Sequence, residues 1–444
     1  MTKKLPPSID TFIKKVKNFY QDDPKLQEMF EQCFINTYQT TIRPQLDGTT
    51  FVITGDIPAM WLRDSAAQVR PYLMLADQDA EIANMIKGVI AKQLFFINHD
   101  PYANAFNESP NGKRYHDDQT EMTDWIWERK YEVDSLCYPI QLAYLYWKAT
   151  GNTDHFNQSF LDAMKKILDV WKKEQRHTEA SNYHFIRDHC PPQDTLSHEG
   201  YGAPVGYTGM TWSGFRPSDD ACKYGYLIPS NMFAVVSLHQ LSEIATSVWK
   251  NEELENHAKE LANEIDQGIQ QYGIVNHPKY GSIYAYETDG LGHYHLMDDA
   301  NVPSLLSIPY LGYCSFDDEI YQNTRKFILS EDNPYYFNGK VASGVGSPHT
   351  PDQYIWHIAL AIQGLTSLDG SEKETITQLF KKTDANTNLM HEGFHVDDPK
   401  QFTRPWFSWA NSMFSEFLLS QVGYAVKESP LYDWMHIHHH HIKS

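Results

Sequence analysis

The strongest constraint on the fold is the way two kinds of helical segment take turns along the chain. Six segments are apolar around most of their circumference, and each is announced by a polar loop and a proline. They are MWLRDSAAQVRPYLML after Pro58, YEVDSLCYPIQLAYLYW with Pro139, RPSDDACKYGYLIPSNMFAVVSLHQL with Pro229, LMDDANVPSLLSIPYLG with Pro303, GVGSPHTPDQYIWHIALAIQGL with Pro351, and HEGFHVDDPKQFTRPWFSWANSMFSEFLL with Pro405. Between them, residues 8–20, 25–38, 79–97, 159–174 and 253–269 carry apolar side chains at three- and four-residue spacing and one polar face. A helix apolar all round is buried, and one with a single apolar stripe lies against it. The alternation predicts an all-α fold, an (α/α)6 barrel with inner and outer helices. Each proline marks a helix start, because proline is tolerated in the first turn. TFVITGD (50–56) and GSIYAYETDG (281–290) read as short β-hairpins on the rim. With no low-complexity linker, residues 1–430 form one domain, followed by a His-rich tail over 431–444 that reads as a tag-like or disordered end.

In such a barrel the loops before the inner helices gather at one mouth, among positive helix ends that suit carboxylates and hydroxyl-rich ligands. Composition narrows the ligand. A net charge of −20 argues against nucleic acid and anionic membranes, which need a basic surface. The 11 Trp and 27 Tyr suit either aromatic anchors in a large core or platforms for sugar rings. Five scattered cysteines without a CxxC fit reduced thiols. The N-terminus has no apolar signal segment and no run of 18 apolar residues exists, so a cytoplasmic protein without membrane contact is expected.

The polar loops hold the chemistry. Asp219 and Asp220 are adjacent, so their carboxylates point in different directions, one to anchor the loop and one to face the cavity. Asp298 and Asp299 repeat the pair close enough to Pro303 for one of them to cap a helix. Arg63 and Asp64 form either a buried ion pair or a clamp for sugar hydroxyls. Asp134 is either a loop anchor or a ligand contact, and His349 either a core residue or a hydroxyl partner. Trp406 and Trp409 read as core packing or as a stacking wall. Glu392 stands between His391 and Gly393, a setting that suits a carboxylate open to a pocket. Two carboxyl groups facing one cavity are what glycoside hydrolysis needs, one to protonate the leaving oxygen and one to activate water or attack carbon. The acidic run DDQTE (117–121) resembles a Mg²⁺-binding helix motif but follows a loop sequence, and MHEGFH lacks the HExxH spacing of zinc proteases. No metal or cofactor is expected.

Together, MWLRDSAAQVRPYL, YEVDSLCYP, TWSGFRPSDDACKYGYLIPSNMFA, MDDANVPSLLSIPYLG and HEGFHVDDPKQFTRPWFSWANSMF resemble the exo-α-1,6-mannosidases of glycoside hydrolase family 125, from about Thr50 to Phe414. The resemblance implies an (α/α)6 barrel, no metal, and inverting release of terminal α-1,6-linked mannose from mannosides or N-glycan fragments. It places the general acid on Asp220 and the general base on Glu392, with Arg63, Asp64, Asp134 and His349 holding the sugar, and Asp299 and Trp409 are further sugar-binding candidates from the reading of their own segments. Two departures stand out. Gly393 occupies a place where Ser is usual, and His357-Ile358 one where Pro-Met is common. The rival readings are a different (α/α)6 exo-glycosidase and a non-catalytic mannoside-binding protein.

Overall fold

The computed structural model describes residues 3–439. Its helices are α1 (Pro7–Phe19), α2 (Pro24–Thr40), α3 (Leu62–Val69), α4 (Ala80–His99), α5 (Val133–Thr150), α6 (Gln158–Glu174), the single turn α7 (His177–Ala180), α8 (Ile228–Ile244), α9 (Glu252–Tyr272), α10 (Ile308–Leu311), α11 (Glu319–Ile328), α12 (His357–Thr366), α13 (Gly370–Thr383), α14 (Ser408–Gln421) and α15 (Pro430–His439). The strands are two to four residues long and form small separate antiparallel sheets.

Packing sorts the helices into two sets. α3 lies on α5, α5 on α8, α8 on α10, α10 on α12, α12 on α14, and α14 returns to α3. This closed ring of six is buried along nearly every turn, including polar residues such as Asn231 and Ser415. Around it, α2 packs on α14, α4 on α5 and α6, α9 on α8, and α13 on α12. Residues 370–383 belong to this outer set, and so do 319–328, which pack on the strand Gly281–Tyr284 and reach α12 through Arg325, bonded to Thr366 and the Gln363 carbonyl; the sequence reading above names only α1, α2, α4, α6 and α9, and α1 sits outside the ring against α2.

The two sets start differently. The six outer helices α2, α4, α6, α9, α11 and α13 are each capped by an Asp or Asn side chain accepting a first-turn N–H: Asp23, Asp79, Asn157, Asn251, Asp318 and Asp369. None of the six inner helices has a side-chain cap. Several instead continue directly from a strand: Met60–Trp61 into α3, Tyr226–Leu227 into α8, and Tyr354–Trp356 into α12. The first N–H of α3 is then taken by the Asn104 carbonyl and that of α8 by the Tyr286 carbonyl.

This corrects the expectation that proline marks each inner start. Only Pro229 sits in the first turn of a long inner helix. Pro139 is inside α5, which begins at Val133, so Asp134 is a first-turn residue and not a loop residue. The fourth inner segment is nearly all loop, with a helix only at Ile308–Leu311. Ser304 and Ser307 exchange side-chain bonds with each other's backbone N–H groups, and these bonds compete with helix. The expected rim hairpins are present as Ile42–Pro44 with Thr50–Val52 and Ile274–His277 with Gly281–Tyr284. The tail is helical as far as His439, where Trp434 packs on Phe316. The rest of the expected disordered end, residues 440–444, lies outside the described residues. No helix among the described residues is long and apolar enough to cross a membrane.

Candidate active site

The inner-ring loops meet at a cavity of about 240 Å³. Its wall includes Arg63, Asp64, Asp219, Asn301, His349, Glu392, Arg404 and Trp409, brought from sequence positions more than 300 residues apart.

Arg63, in the first turn of α3, is the hub. Its guanidinium is 3% exposed and meets four carboxylates: Asp64 at 3.3 Å, Asp134 at 3.3 Å, Asp219 at 3.2 Å, and Glu132 in a short bond. One cation does not neutralise four acids. Burial pushes the Asp64 and Asp134 carboxyls up to about 6 against the pull of Arg63. Burial also raises Glu132 well above the usual carboxylate range. Asp219 goes the other way. Burial opposes its ionisation, but Arg63 and Lys130 hold it well below that range.

The adjacent aspartates do not divide as expected into one anchor and one cavity-facing carboxylate. Asp219 lines the cavity with its side chain 22% exposed, yet it is also the anchor, bonded to Arg63 and to Asn104 at 3.2 Å. Its backbone sits at φ 69°, a conformation held by Lys130, whose Nζ donates to the Asp219 carbonyl at 2.7 Å. Asp220 lies just behind the wall, 2% exposed. Its Oδ1 is 2.8 Å from His349 Nδ1, and its Oδ2 has no partner in the protein. His349 itself lines the cavity. Burial disfavours its charge, but the bond to Asp220 and the acids around it raise it to about 10.

Glu392 also opens onto the cavity. Its Oε1 accepts from the Thr403 hydroxyl at 3.1 Å, and its Oε2 lies 3.6 Å from the Arg404 guanidinium. Arg404 is held at φ 54° and pairs with Asp56, so a residue in strained backbone fixes the cation beside this carboxylate. His357 braces the same loop, because its Nδ1 accepts the His391 N–H at 2.8 Å. That bond fixes the His357 tautomer, and Nε2 faces Thr383 at 3.0 Å. Gly393 is closely packed. A Cβ there would come within 3.1 Å of Thr350 Cγ2 and 3.3 Å of Trp356 Nε1.

The remaining expected site residues fall into two groups. Arg63, Asp64, His349 and Trp409 line the cavity. Trp409 does so while 1% exposed, under Arg63, with its Nε1–H unpartnered. Asp134 and Asp299 do not line it. Asp134 supports Arg63, and Asp299 spends both oxygens on Asn301 and Ser347, which leaves Asn301 as the lining residue. Asp298 accepts from the N–H groups of Leu305 and Leu306, which lie in the loop before the helix at Ile308, so neither member of that pair caps it as expected. Trp406 is half-buried and bonds Thr40. In the acidic run 117–121, Asp118 gives both oxygens to Arg187. Among the described residues no cluster of His, Cys, Asp and Glu is arranged to hold a metal ion. Sequence reasoning missed Glu132, Lys130 and Arg404. Glu132 stands two residues before Asp134, on a spacing that a first-turn position for Asp134 would have flagged.

A family model described as metal-independent alpha-mannosidase (GH125) matches residues 23–419. A Schizosaccharomyces pombe protein, the Meiotically up-regulated gene 157 protein, is 42% identical over 93% of this chain and 85% of its own length. The structure of a Streptococcus pneumoniae protein from a family of metal-independent α-mannosidases, in a non-productive complex with α-1,6-mannobiose, superposes with a TM-score of 0.93. It is 50% identical, covering 95% of this chain and 99% of that one. A bacterial glucoamylase bound to acarbose shares the fold at a TM-score of 0.61 and 14% identity, covering 96% of this chain and 60% of that one.

Proposed function

The chain belongs to the GH125 family of metal-independent α-mannosidases, and from that premise we propose that it is an (α/α)6-barrel exo-α-1,6-mannosidase acting by inversion. Its substrate is the non-reducing terminal mannose of an α-mannoside. The observation that carries this reading is the convergence of Glu392 with Asp219 and the Asp220-bonded His349 on one cavity.

Glu392 is the general base. Thr403 occupies one of its oxygens, and the other, beside Arg404, is free of hydrogen bonds and available to take a proton from water attacking the anomeric carbon. Asp220 is the general acid. His349 takes its Oδ1 and leaves Oδ2 as the oxygen that the protein does not use. The proton for the leaving oxygen is held on His349 Nδ1, which keeps it to about 10, and it reaches the glycosidic oxygen through the Asp220 carboxyl, leaving His349 neutral and Asp220 without a proton. Asp219 is unsuited to that role, since Arg63 and Lys130 keep it ionised. Arg63, Asp64, His349 and Trp409 hold the sugar. The Trp409 Nε1–H, buried and without an acceptor in the protein, matches a hydroxyl oxygen. Asp134 and Asp299 position these groups from behind.

NMR of the first product from α-1,6-mannobiose tests the reading. Inversion yields the β-anomer first, and an initial α-anomer would refute it. Faster cleavage of α-1,2- or α-1,3-mannobiose would refute the linkage. Glu392→Gln is expected to lose turnover on every substrate. Asp220→Asn is expected to lose far less on α-mannosyl fluoride, whose leaving group needs no protonation, than on the disaccharide.

A further inference from the structure

Glu287 does not line the cavity and is fully buried, yet it binds the loop that carries both adjacent aspartates. It sits on the short strand Glu287–Thr288, paired with Tyr226–Leu227, the strand that leads into α8. Its Oε1 accepts from Arg216 Nε at 2.5 Å. Its Oε2 accepts the backbone N–H groups of Lys223 at 3.0 Å and Tyr224 at 3.1 Å. Burial opposes its ionisation, but Arg216 and His295 hold it down at about 2.

The three donors stand on the two legs of one hairpin. Phe215 pairs with Ala221 across it, and the Cys222 N–H donates to the Gly214 carbonyl at 2.9 Å. At the tip, the Asp219 N–H donates to the Arg216 carbonyl at 2.8 Å and the Arg216 N–H to the Asp220 carbonyl at 2.7 Å. The tip is therefore held from two directions. On the cavity side, Lys130 takes the Asp219 carbonyl, and Arg63 and Asn104 take its side chain. On the far side the Asp220 backbone leans on Arg216, since its own N–H has only a 3.4 Å contact with Ser218 Oγ. Arg216 in turn is fixed by Glu287. A buried ion pair adds little net stability over an apolar pair of the same volume. What this one supplies is a fixed geometry at the hairpin.

We infer that Glu287 is a positioning residue for the general acid: by clasping both legs of the hairpin it fixes where Asp220 meets His349 and the leaving oxygen. The role rests on the mannosidase reading for the part Asp220 plays, and on the hairpin's bonds for the dependence of Asp220 on Glu287.

The test measures Glu287→Gln on α-1,6-mannobiose, whose leaving group must be protonated, and on α-mannosyl fluoride, whose leaving group need not be. The kcat for the disaccharide should fall on the order of 10²-fold and that for the fluoride by no more than about three-fold. KM should change little, because the cavity-side ties of Asp219 remain. An equal fall on both substrates would mark a merely structural role and overturn the inference, as would an unchanged kcat or a change confined to KM. Glu287→Gln leaves Arg216 buried without its counter-charge, so Arg216→Met combined with Glu287→Gln is the second variant. Neutral replacement of both partners of a buried pair is often tolerated, and the same substrate-dependent loss is expected. NMR titration of the His349 imidazole reads the geometry without turnover. Its bond to Asp220 raises its midpoint to about 10, so loosening Asp220 should bring the midpoint down toward 6.5, and an unmoved midpoint overturns the inference. If the wild-type protein cleaves neither substrate, the mannosidase reading fails instead, and the titration still decides whether Glu287 holds Asp220 in place.

Discussion

Replacing Arg63 with Met tests the charge balance on which the cavity depends. The side chain is 3% exposed and touches four carboxylates, of which three are themselves at most 6% exposed. Removing one partner from a buried ion cluster costs about 3–5 kcal/mol, because uncompensated charge is left behind. Here the cost must depend on pH, and its sign follows from the shifts. Asp64 and Asp134 are raised from 3.8 to about 6, so the folded state holds their protons more tightly than the unfolded state does. Their favourable contribution is complete below 3.8 and is lost as pH rises through about 6. At ~1.36 kcal/mol per pKa unit, each carboxyl forfeits about 3 kcal/mol by neutral pH. Without Arg63 these carboxyls rise further, and Asp219 loses the main charge that keeps it low. The Arg63→Met protein should therefore lie close to wild type at about pH 5, where the cluster takes up protons, and fall about 3–5 kcal/mol below it at about pH 7.5. Urea unfolding of both proteins at the two pH values measures this. The same difference at both values would refute the view that four acids share one buried cation.

Other predictions follow from neighbouring contacts. His349, raised to about 10 by Asp220, stabilises the fold fully below 6.5 and ceases to as pH passes through 10. The stability gap between wild type and His349→Gln should therefore be widest below about 6.5, narrow as pH rises and close above about 10; a constant gap in thermal melts from below 6.5 to alkaline pH would contradict the ion pair. Gly393→Ser should crowd Thr350 and disturb its 2.9 Å bond from Trp356, lowering kcat with a destabilisation of about 1 kcal/mol. Thr350→Ser, by removing the methyl at 3.1 Å, should restore much of the loss, and no rescue in a kinetic comparison would show the crowding to be unimportant. Arg404→Ala frees the loop beside Glu392 and should lower kcat on the order of 10²-fold with a smaller change in KM; a change confined to KM would mean that Arg404 binds substrate instead.

How much of this was legible depends on which interactions are local. The outer helices were visible because an amphipathic stripe and an Asp or Asn cap lie within a few residues, as in Asp79 with α4 and Asn157 with α6. α11 and α13 carry the same caps at Asp318 and Asp369 and were missed, α11 with only ten residues and α13 with a buried stripe of only Ile376, Thr377, Phe380 and Thr383. The inner helices were found by their apolar content but most were misplaced at their starts, since strand pairing leads into α3, α8 and α12 and only α8 also has a proline, Pro229, in its first turn. Of the site, Asp219, Asp220 and Glu392 stand out as carboxylates in polar loops. What the chain does not announce is that Glu132 and Asp134 share one guanidinium.

The contrast in helix starts also accounts for where the acids collect. A helix whose first turn is closed by its own Asp or Asn has little left to offer a ligand, and all six outer helices are closed in this way. The inner six have no such side chain, and their first turns instead hold Asp64 and Asp134 directly at the positive end of α3 and α5. A carboxylate in the first turn gains from the helix dipole, by up to about 2 kcal/mol where it is partly buried. That contribution, added to Arg63, supports Asp64 and Asp134 beside a cavity lined by five acids and by Arg63, Lys130, Arg187 and Arg404. It does not fully ionise them, which is why Asp64 and Asp134 stay near 6. A cavity balanced in this way has both accepting and donating oxygens near neutral pH, which suits sugar hydroxyls better than a fully ionised or fully neutral wall would.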